Sequence, residues 1–239
     1  MSTLTAMGKD VLITGANGGL GLALIEAFLA AGARHVYAAC RNPERLTFDH
    51  PQVEAVQLDV TDPQQVAQVA SRVGVDILVN NAGLNRQQRL LGADDPDAAA
   101  QEMAVNYFAT LAMMRAFAPT LVERAGAMVN VLSILARVAL PAMGSLCASK
   151  AAALRLTEAA RAELAGQVQV VAVLPGVIDT AMSHGVAGAK ASPREVAEAI
   201  VTGLASGAAE VYPDPMALDI AHKLATDRAT AQADFARYL

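Results

Sequence analysis

The sequence predicts an α/β fold with three layers, in which a doubly wound parallel sheet carries helices on both faces. Three observations lead there. Short β-branched runs alternate with longer helical patterns, the strands are apolar throughout, and no linker or low-complexity break divides residues 1–239, which are expected to form a single domain. A strand that is apolar on both sides is buried on both sides, as in a parallel sheet sandwiched between helices. Ligands of such folds bind beyond the carboxyl ends of the strands, so those loops are where chemistry is sought.

The first strand is Val11 to Thr14, followed by a helix from Gly19 to about Ala31. His35 to Cys40 and Val53 to Leu58 are strands two and three, and Asn42-Pro43-Glu44-Arg45-Leu46 between them leaves room for one turn of helix. Thr61-Asp62-Pro63 combines a polar cap with an early proline and opens a helix to about Val73. Asp76 to Asn80 is strand four. A long helix follows from about Asp95 to Arg124, then strand five at Ala127 to Leu132. A helix from Ser145 to Ala165 precedes strand six, Val168 to Leu174. Ser192-Pro193-Arg194-Glu195 reads as a capping box that starts a helix to about Ser206. Glu210 to Tyr212 is a short last strand.

Composition excludes several classes of function. Of 239 residues, 54% are hydrophobic and 17% charged, which is ample for a core and rules out disorder. Eighteen basic residues against 23 acidic ones give a net charge of −5, which argues against nucleic acid and against a basic membrane-docking face. The apolar stretch Ala98 to Pro119 is interrupted by Glu102, Asn106 and Arg115, so a membrane span is not expected. Met1 to Lys9 lacks the apolar core of a signal peptide. Two cysteines, Cys40 and Cys147, suit a reducing cytoplasm. No metal centre is expected.

The first strand runs into Thr14-Gly15-Ala16-Asn17-Gly18-Gly19-Leu20-Gly21, which opens a helix. Gly15 permits the tight turn, Gly19 lets backbone N–H groups approach a pyrophosphate, and Gly21 lets helix and strand pack closely. Asn17, Gly18 and Leu20 complete the loop, and the helix N-terminus favours an anion. This strand–turn–helix context makes the doubly wound fold one of the Rossmann type.

The spacing Gly-x-x-x-Gly-x-Gly resembles that of the short-chain dehydrogenase/reductase family in its compact form, and the likeness extends over nearly the whole chain. Asp59 and Val60, in Leu58-Asp59-Val60, resemble the family's adenine-contacting segment, although Asp59 also suits bracing the loop behind it. Asn80-Asn81-Ala82-Gly83 matches the motif after strand four, which adds Asn81, Ala82 and Gly83 to the cofactor site. Asn106 falls where the family keeps an active-site asparagine. Pro175-Gly176 and Thr180 match the Pro-Gly-x-x-x-Thr segment near the nicotinamide. The resemblance implies a dinucleotide cofactor, a small-molecule substrate and pairing into a homodimer or homotetramer.

An acidic residue about 20 positions beyond the glycine loop binds the ribose of NAD. Nineteen residues after Gly21 stands Cys40, and then Arg41. Arginine there suits the 2′-phosphate of NADP; its alternative is an ordinary solvated loop residue. NADP is the expected cofactor.

Relatives that reduce carbonyls use Asn, Ser, Tyr and Lys. By this resemblance Ser133, in Asn130-Val131-Leu132-Ser133, and Lys150, in Ala148-Ser149-Lys150, are present. The tyrosine, four residues before the lysine and thirteen after the serine, is replaced by Leu146. Leu146 and Lys150 share a helix face, so a shifted alignment does not restore the phenol. Tyr37, Tyr107, Tyr212 and Tyr238 all lie outside this helix. Losing a positioned general acid costs roughly 10²–10⁴-fold in rate. Cys147 points about 100° away from Leu146 and suits packing. His184, just after Thr180, is an imidazole and so a candidate acid, but reads as a solvated loop residue.

The segment Ala181 to Ala191 is rich in small residues and leaves an open pocket. Leu84, Ile134, Leu146 and Met182 suggest an apolar ligand, and core packing would give the same residues. In the long helix, Met103, Val105, Phe108, Leu111, Met113, Met114 and Phe117 span more than one stripe. Either a second copy or the C-terminal tail covers the excess. Two readings of function stand. One is an NADP(H)-dependent oxidoreductase with an atypical site, moving hydride to or from a small carbonyl, alcohol or related substrate. The other is a dinucleotide-binding protein, non-redox or regulatory, that has lost carbonyl reduction.

Overall fold

In the computed structural model, which describes residues 4–237, seven strands form one sheet in the order β3-β2-β1-β4-β5-β6-β7. They are β1 (Asp10–Thr14), β2 (His35–Cys40), β3 (Val53–Gln57), β4 (Ile77–Asn80), β5 (Ala127–Val131), β6 (Gln169–Val173) and β7 (Glu210–Val211). Every neighbouring pair is parallel. Each strand lies within a residue or two of its sequence-predicted span. Tyr238 and the stretch Met1 to Thr3 lie outside the described residues.

All of β1, β4 and β5 is buried, as continuous apolar runs require. Their residues alternate between two cores. On one face Val11, Ile13, Ile77 and Val79 meet Leu24, Ile25 and Phe28 of α1 (Gly19–Ala30) and Ile200 and Leu204 of α6 (Pro193–Ala205). On the other, Leu12, Leu78 and Met128 meet Val66 and Val69 of α2 (Pro63–Arg72) and Phe117 and Leu121 of α4 (Thr110–Glu123). Phe28 and Phe117 are fully buried, each contributing about 1.5–3 kcal/mol of apolar burial.

Local signals set the helix starts. The Asp62 carboxylate accepts the N–H groups of Gln64 (2.8 Å) and Gln65 (3.2 Å) at the head of α2, with Pro63 in the first turn. Ser192 and Glu195 form the reciprocal capping box at α6. Only a single helical turn, Pro43–Arg45, separates β2 from β3, as expected.

The long helix differs from its simple expectation. It starts as α3 (Ala98–Met103), widens into a π-helical turn at Ala104–Ala109 and continues as α4. Its start lies later than Asp95 because the Asp95 carboxylate accepts the Asp97 N–H at 2.9 Å and forms a turn there. Such widened turns commonly accompany functional sites, and this one contains Asn106. Two helices are additional to the sequence reading, α7 (Pro215–Thr226) and α8 (Arg228–Ala236). Ala217, Ile220, Leu224 and Phe235 join the cluster around Ile134, Leu154 and Leu174, not that of α4. The tail therefore does not cover the outward face of the long helix, where Phe108 is 59% exposed. Among the described residues no helix is long and apolar enough to cross a membrane.

Candidate functional site

The sheet order reverses between β1 and β4, so the loops leaving these strands diverge and open a crevice at their carboxyl ends. One wall is the glycine loop. Gly15 has φ +63°, a conformation that side chains other than glycine rarely adopt, and a Cβ there would stand 3.0 Å from Ala82 Cα. At Gly21 a Cβ would overlap the Gly15 carbonyl oxygen and come within 2.7 Å of Ala16 Cα. The turn and the helix–strand contact thus both require glycine. Asn17, Gly18 and Gly19 are exposed at the tip, whereas Leu20 and Gly21 are buried. The first turn of α1 has neither a side-chain cap nor an acidic residue. Its N–H groups are left to an outside partner, and an anion suits them.

The loop after β4 is tied to this wall. Thr14 Oγ1 accepts the N–H groups of Asn81 and Ala82, both at 3.0 Å, and Asn81 Nδ2 donates to the carbonyls of Thr14 (2.9 Å) and Gly15 (3.2 Å). Gly19 faces Thr180, whose Cγ2 would be 3.0 Å from a Cβ at that glycine. The Gly176 N–H donates to Asp214 at 2.8 Å, and the Pro175 carbonyl accepts the Ile134 N–H at 2.9 Å. Asp214 also caps α7, so the C-terminal helices hold the Pro175–Thr180 segment. Arg41 is exposed just after β2, two residues beyond Ala39, whose carbonyl accepts the Ala16 N–H. Asp59 binds the Thr61 N–H (2.9 Å) and hydroxyl (2.7 Å) through one carboxylate oxygen, bracing its own loop, with Val60 half-buried beside it.

Deeper in the crevice, α5 (Gly144–Glu163) meets the π-helical turn. Asn106 is buried. Its Nδ2 donates to the Leu84 carbonyl and to Ser149 Oγ, both at 2.9 Å, and its Oδ1 accepts the Leu84 N–H at 2.9 Å. Ser149 in turn donates to the Leu146 carbonyl at 2.9 Å. Gly83 lies between Asn106 and Lys150: a Cβ there would be 3.4 Å from Asn106 Oδ1 and 3.5 Å from Lys150 Nζ. Lys150 Nζ donates to the Val131 carbonyl at 3.1 Å. Burial pushes its ammonium down to about 8, partly opposed by the charge of Glu102. Ser133 Oγ accepts the Leu135 N–H at 3.1 Å; its hydrogen has no acceptor among the described residues. Leu146 is buried one helical turn before Lys150.

None of the described tyrosines lies on α5. Tyr107 is half-buried, edge-on to Phe108 with ring centres 4.9 Å apart, and Tyr212 donates to Glu210 at 2.8 Å. His184 is exposed. Burial raises the thiols of Cys40 and Cys147. Among the described residues no group of three or more His, Cys, Asp and Glu could hold a metal ion. Sequence reasoning missed Thr14, Glu102, Ser149 and Asp214. Asp214 carried a signal in the Asp-Pro start of α7; Thr14, Glu102 and Ser149 meet Asn81, Arg86 and Asn106, partners distant in the chain.

The chemistry available is a backbone cradle for an anion, an ammonium and a hydroxyl around one crevice, and apolar walls. The short chain dehydrogenase profile matches residues 9–190. A short chain dehydrogenase from Burkholderia cenocepacia, in complex with NADP, superimposes with a TM-score of 0.94 at 53% identity, covering 97% of this chain and 99% of that one. A dehydrogenase/reductase SDR family protein 7-like protein of Anopheles gambiae is 32% identical over an alignment of 244 residues, 88% of this chain and 76% of the relative. The short-chain dehydrogenase cctT of Talaromyces islandicus is 37% identical over 182 residues, covering 72% of this chain and 64% of its own. The doubly wound fold, the glycine loop and these likenesses together make this chain a member of the short-chain dehydrogenase family.

Proposed function

We propose that this protein binds NADP(H) and moves hydride to or from a small, apolar carbonyl, alcohol or related substrate, through a site in which Leu146 occupies the position of the family's general-acid tyrosine. The observation that carries this reading is Leu146 itself. It is a buried aliphatic side chain one turn before Lys150, in a crevice whose Asn106, Ser149 and Lys150 are all engaged. Asn17, Gly19 and Leu20 present backbone N–H groups to the pyrophosphate, Gly18, whose own N–H donates to the Gly15 carbonyl at 3.1 Å, shapes the loop tip, and Arg41 pairs with the 2′-phosphate. Asp59 and Val60 border the adenine. Asn81, Ala82 and Gly83 flank the cofactor's middle, and Pro175, Gly176 and Thr180 line the nicotinamide end. Support for NADP comes from Arg41 and from the Burkholderia cenocepacia relative that holds it.

Bound nicotinamide supplies the hydride chemistry. The Lys150 ammonium holds the ribose hydroxyls, and Ser133 directs its hydrogen to the substrate oxygen. Asn106 fixes the backbone of Leu84 at the crevice wall. Leu146 has no proton to give, so a substrate oxygen that gains negative charge takes its proton from water. Reduction of ordinary ketones is therefore slow. We assign the protein to the cytoplasm, and the exposed Phe108 side of the long helix to the seam of a homodimer or homotetramer.

Fluorescence titration with NADPH and NADH tests binding, and Leu146→Tyr tests the chemistry. Restoring the phenol should raise NADPH-dependent ketone reduction by roughly 10²–10⁴-fold. Brisk turnover of simple ketones by the natural chain would overturn the account of Leu146. Tight NADPH binding without turnover in either protein would favour a regulatory dinucleotide-binding role.

A further inference from the structure

Asp214, between β7 and α7, is buried, and both of its carboxylate oxygens are engaged. Oδ1 accepts the Ala217 N–H at 2.9 Å and so caps α7, while Oδ2 accepts the Gly176 N–H at 2.8 Å, across 38 positions of the chain. The fit at Gly176 is close. A Cβ there would stand 2.8 Å from Asp214 Oδ1, 3.0 Å from Met216 Sδ and 3.1 Å from Met216 Cβ. Glycine at this position therefore lets the first turn of α7 seat directly on the backbone that follows Pro175.

The base that carries Asp214 is itself fixed. Ala217 and Ile220 are buried in the cluster of Leu132, Ile134 and Leu174, with Leu224 and Phe235 packed against it. Gln232 of α8 pairs with both backbone groups of Ala139: its Oε1 accepts the N–H and its Nε2 donates to the carbonyl, each at 2.9 Å. The segment that Asp214 holds has no regular structure between Leu174 and Val177, and Pro175 has no N–H to donate. Its far end is tied by the Asp179 N–H, which donates to the Ala191 carbonyl at 2.9 Å, and Thr180 stands against Gly19. The Asp214 carboxylate is the charged tie at its near end.

We propose that Asp214 is a positioning residue for the nicotinamide end of the cofactor site: its carboxylate sets the Gly176 backbone, so that the order of the Pro175–Thr180 segment depends on the C-terminal helices. The consequence for cofactor binding rests on the reading of this segment as the nicotinamide border; the tie between α7 and Gly176 does not.

Asp214→Ser in the full chain separates the two contacts. Serine caps a helix about as well as aspartate, but its single oxygen on a shorter arm serves the cap and does not reach Gly176. Without cofactor, hydrogen–deuterium exchange over residues 176–180 should quicken by roughly tenfold, the low range for a hydrogen bond to a charged group. Unchanged exchange in a folded variant overturns the proposal. NADPH affinity should fall by roughly tenfold on the same ground, and affinity for adenosine 2′,5′-bisphosphate, which lacks the nicotinamide half, should stay as it is. A merely structural defect weakens both nucleotides equally; that result, or no loss for NADPH, refutes the positioning role. Coupling between two sites is reciprocal, so saturating NADPH should slow exchange over residues 214–218 of the natural chain, and adenosine 2′,5′-bisphosphate should not. This measurement decides alone if Asp214→Ser does not fold, and exchange there that bound NADPH leaves unmoved overturns the proposal. Quickened exchange in the variant of a chain that binds neither nucleotide refutes the cofactor reading and upholds the tie.

Discussion

Replacing Lys150 by Met should stabilise the cofactor-free protein at neutral pH, by an amount that the burial of the ammonium sets. Burial lowers Lys150 from 10.5 to about 8 in the folded chain, and Glu102 only partly opposes this. Between those values the unfolded chain holds a proton that the folded chain lacks, so stability rises with pH across that window. Below pH 8 the penalty is complete. A difference of about 2.5 pH units corresponds to roughly 3 kcal/mol at about 1.4 kcal/mol per unit. Methionine fills a similar volume without charge but loses the hydrogen bond to the Val131 carbonyl, a cost of about 1 kcal/mol. The net expectation is a gain of about 2 kcal/mol at pH 7 that disappears above about pH 10. Urea unfolding of both proteins at pH 7 and pH 10 measures it, and their difference cancels the other titrating groups. A stability difference that is the same at both pH values would show that the ammonium is not desolvated. A methionine variant less stable at pH 7 would mean that the Val131 contact and the Glu102 charge outweigh burial.

Two further substitutions probe the cradle. Arg41→Ala should weaken NADPH binding by roughly 10–100-fold, the range of a lost charge-assisted contact, and leave NADH binding unchanged in fluorescence titrations. An equal loss for both dinucleotides, or none for either, would remove the arginine from the 2′-phosphate. Gly21→Ala forces a Cβ against the Gly15 carbonyl and Ala16 Cα. It should destabilise the fold by at least about 2 kcal/mol, because only backbone can yield there. A thermal midpoint equal to that of the natural chain would refute the tight packing of α1 on β1.

The strands and most helices were legible because each carries its own local signal. The Val11–Thr14 run, the Asp62–Pro63 start of α2 and the Ser192–Glu195 capping box act within a few residues, and each formed as expected. The π-helical turn around Asn106 was not legible, because amphipathic periodicity over Asp95 to Arg124 does not distinguish a uniform helix from one widened at Ala104–Ala109. The additional α7 and α8 pack through Ala217 and Ile220, and only that tertiary contact gives their weak pattern a core to face. Within the site, the Gly15 turn and the Gly21 contact follow from sequence and are required by the geometry. Glu102 read as a mere interruption of an apolar stretch, although it is fully buried. Burial at that position depends on how α3 meets α5 and the loop after β4.

By itself the sequence determined the parallel sheet, the crevice-side glycine loop and the aliphatic residue one turn before Lys150, since each is written in residue type and short-range spacing. The tertiary structure decided which groups touch: Thr14 with Asn81 and Ala82, Asn106 with Ser149, Asp214 with Gly176, and Glu102 with the loop at Arg86. Those pairings join residues 16 to 68 positions apart. Patterns of hydropathy fix where a chain turns and which face it hides. The partner of a buried polar group depends on how those faces finally meet.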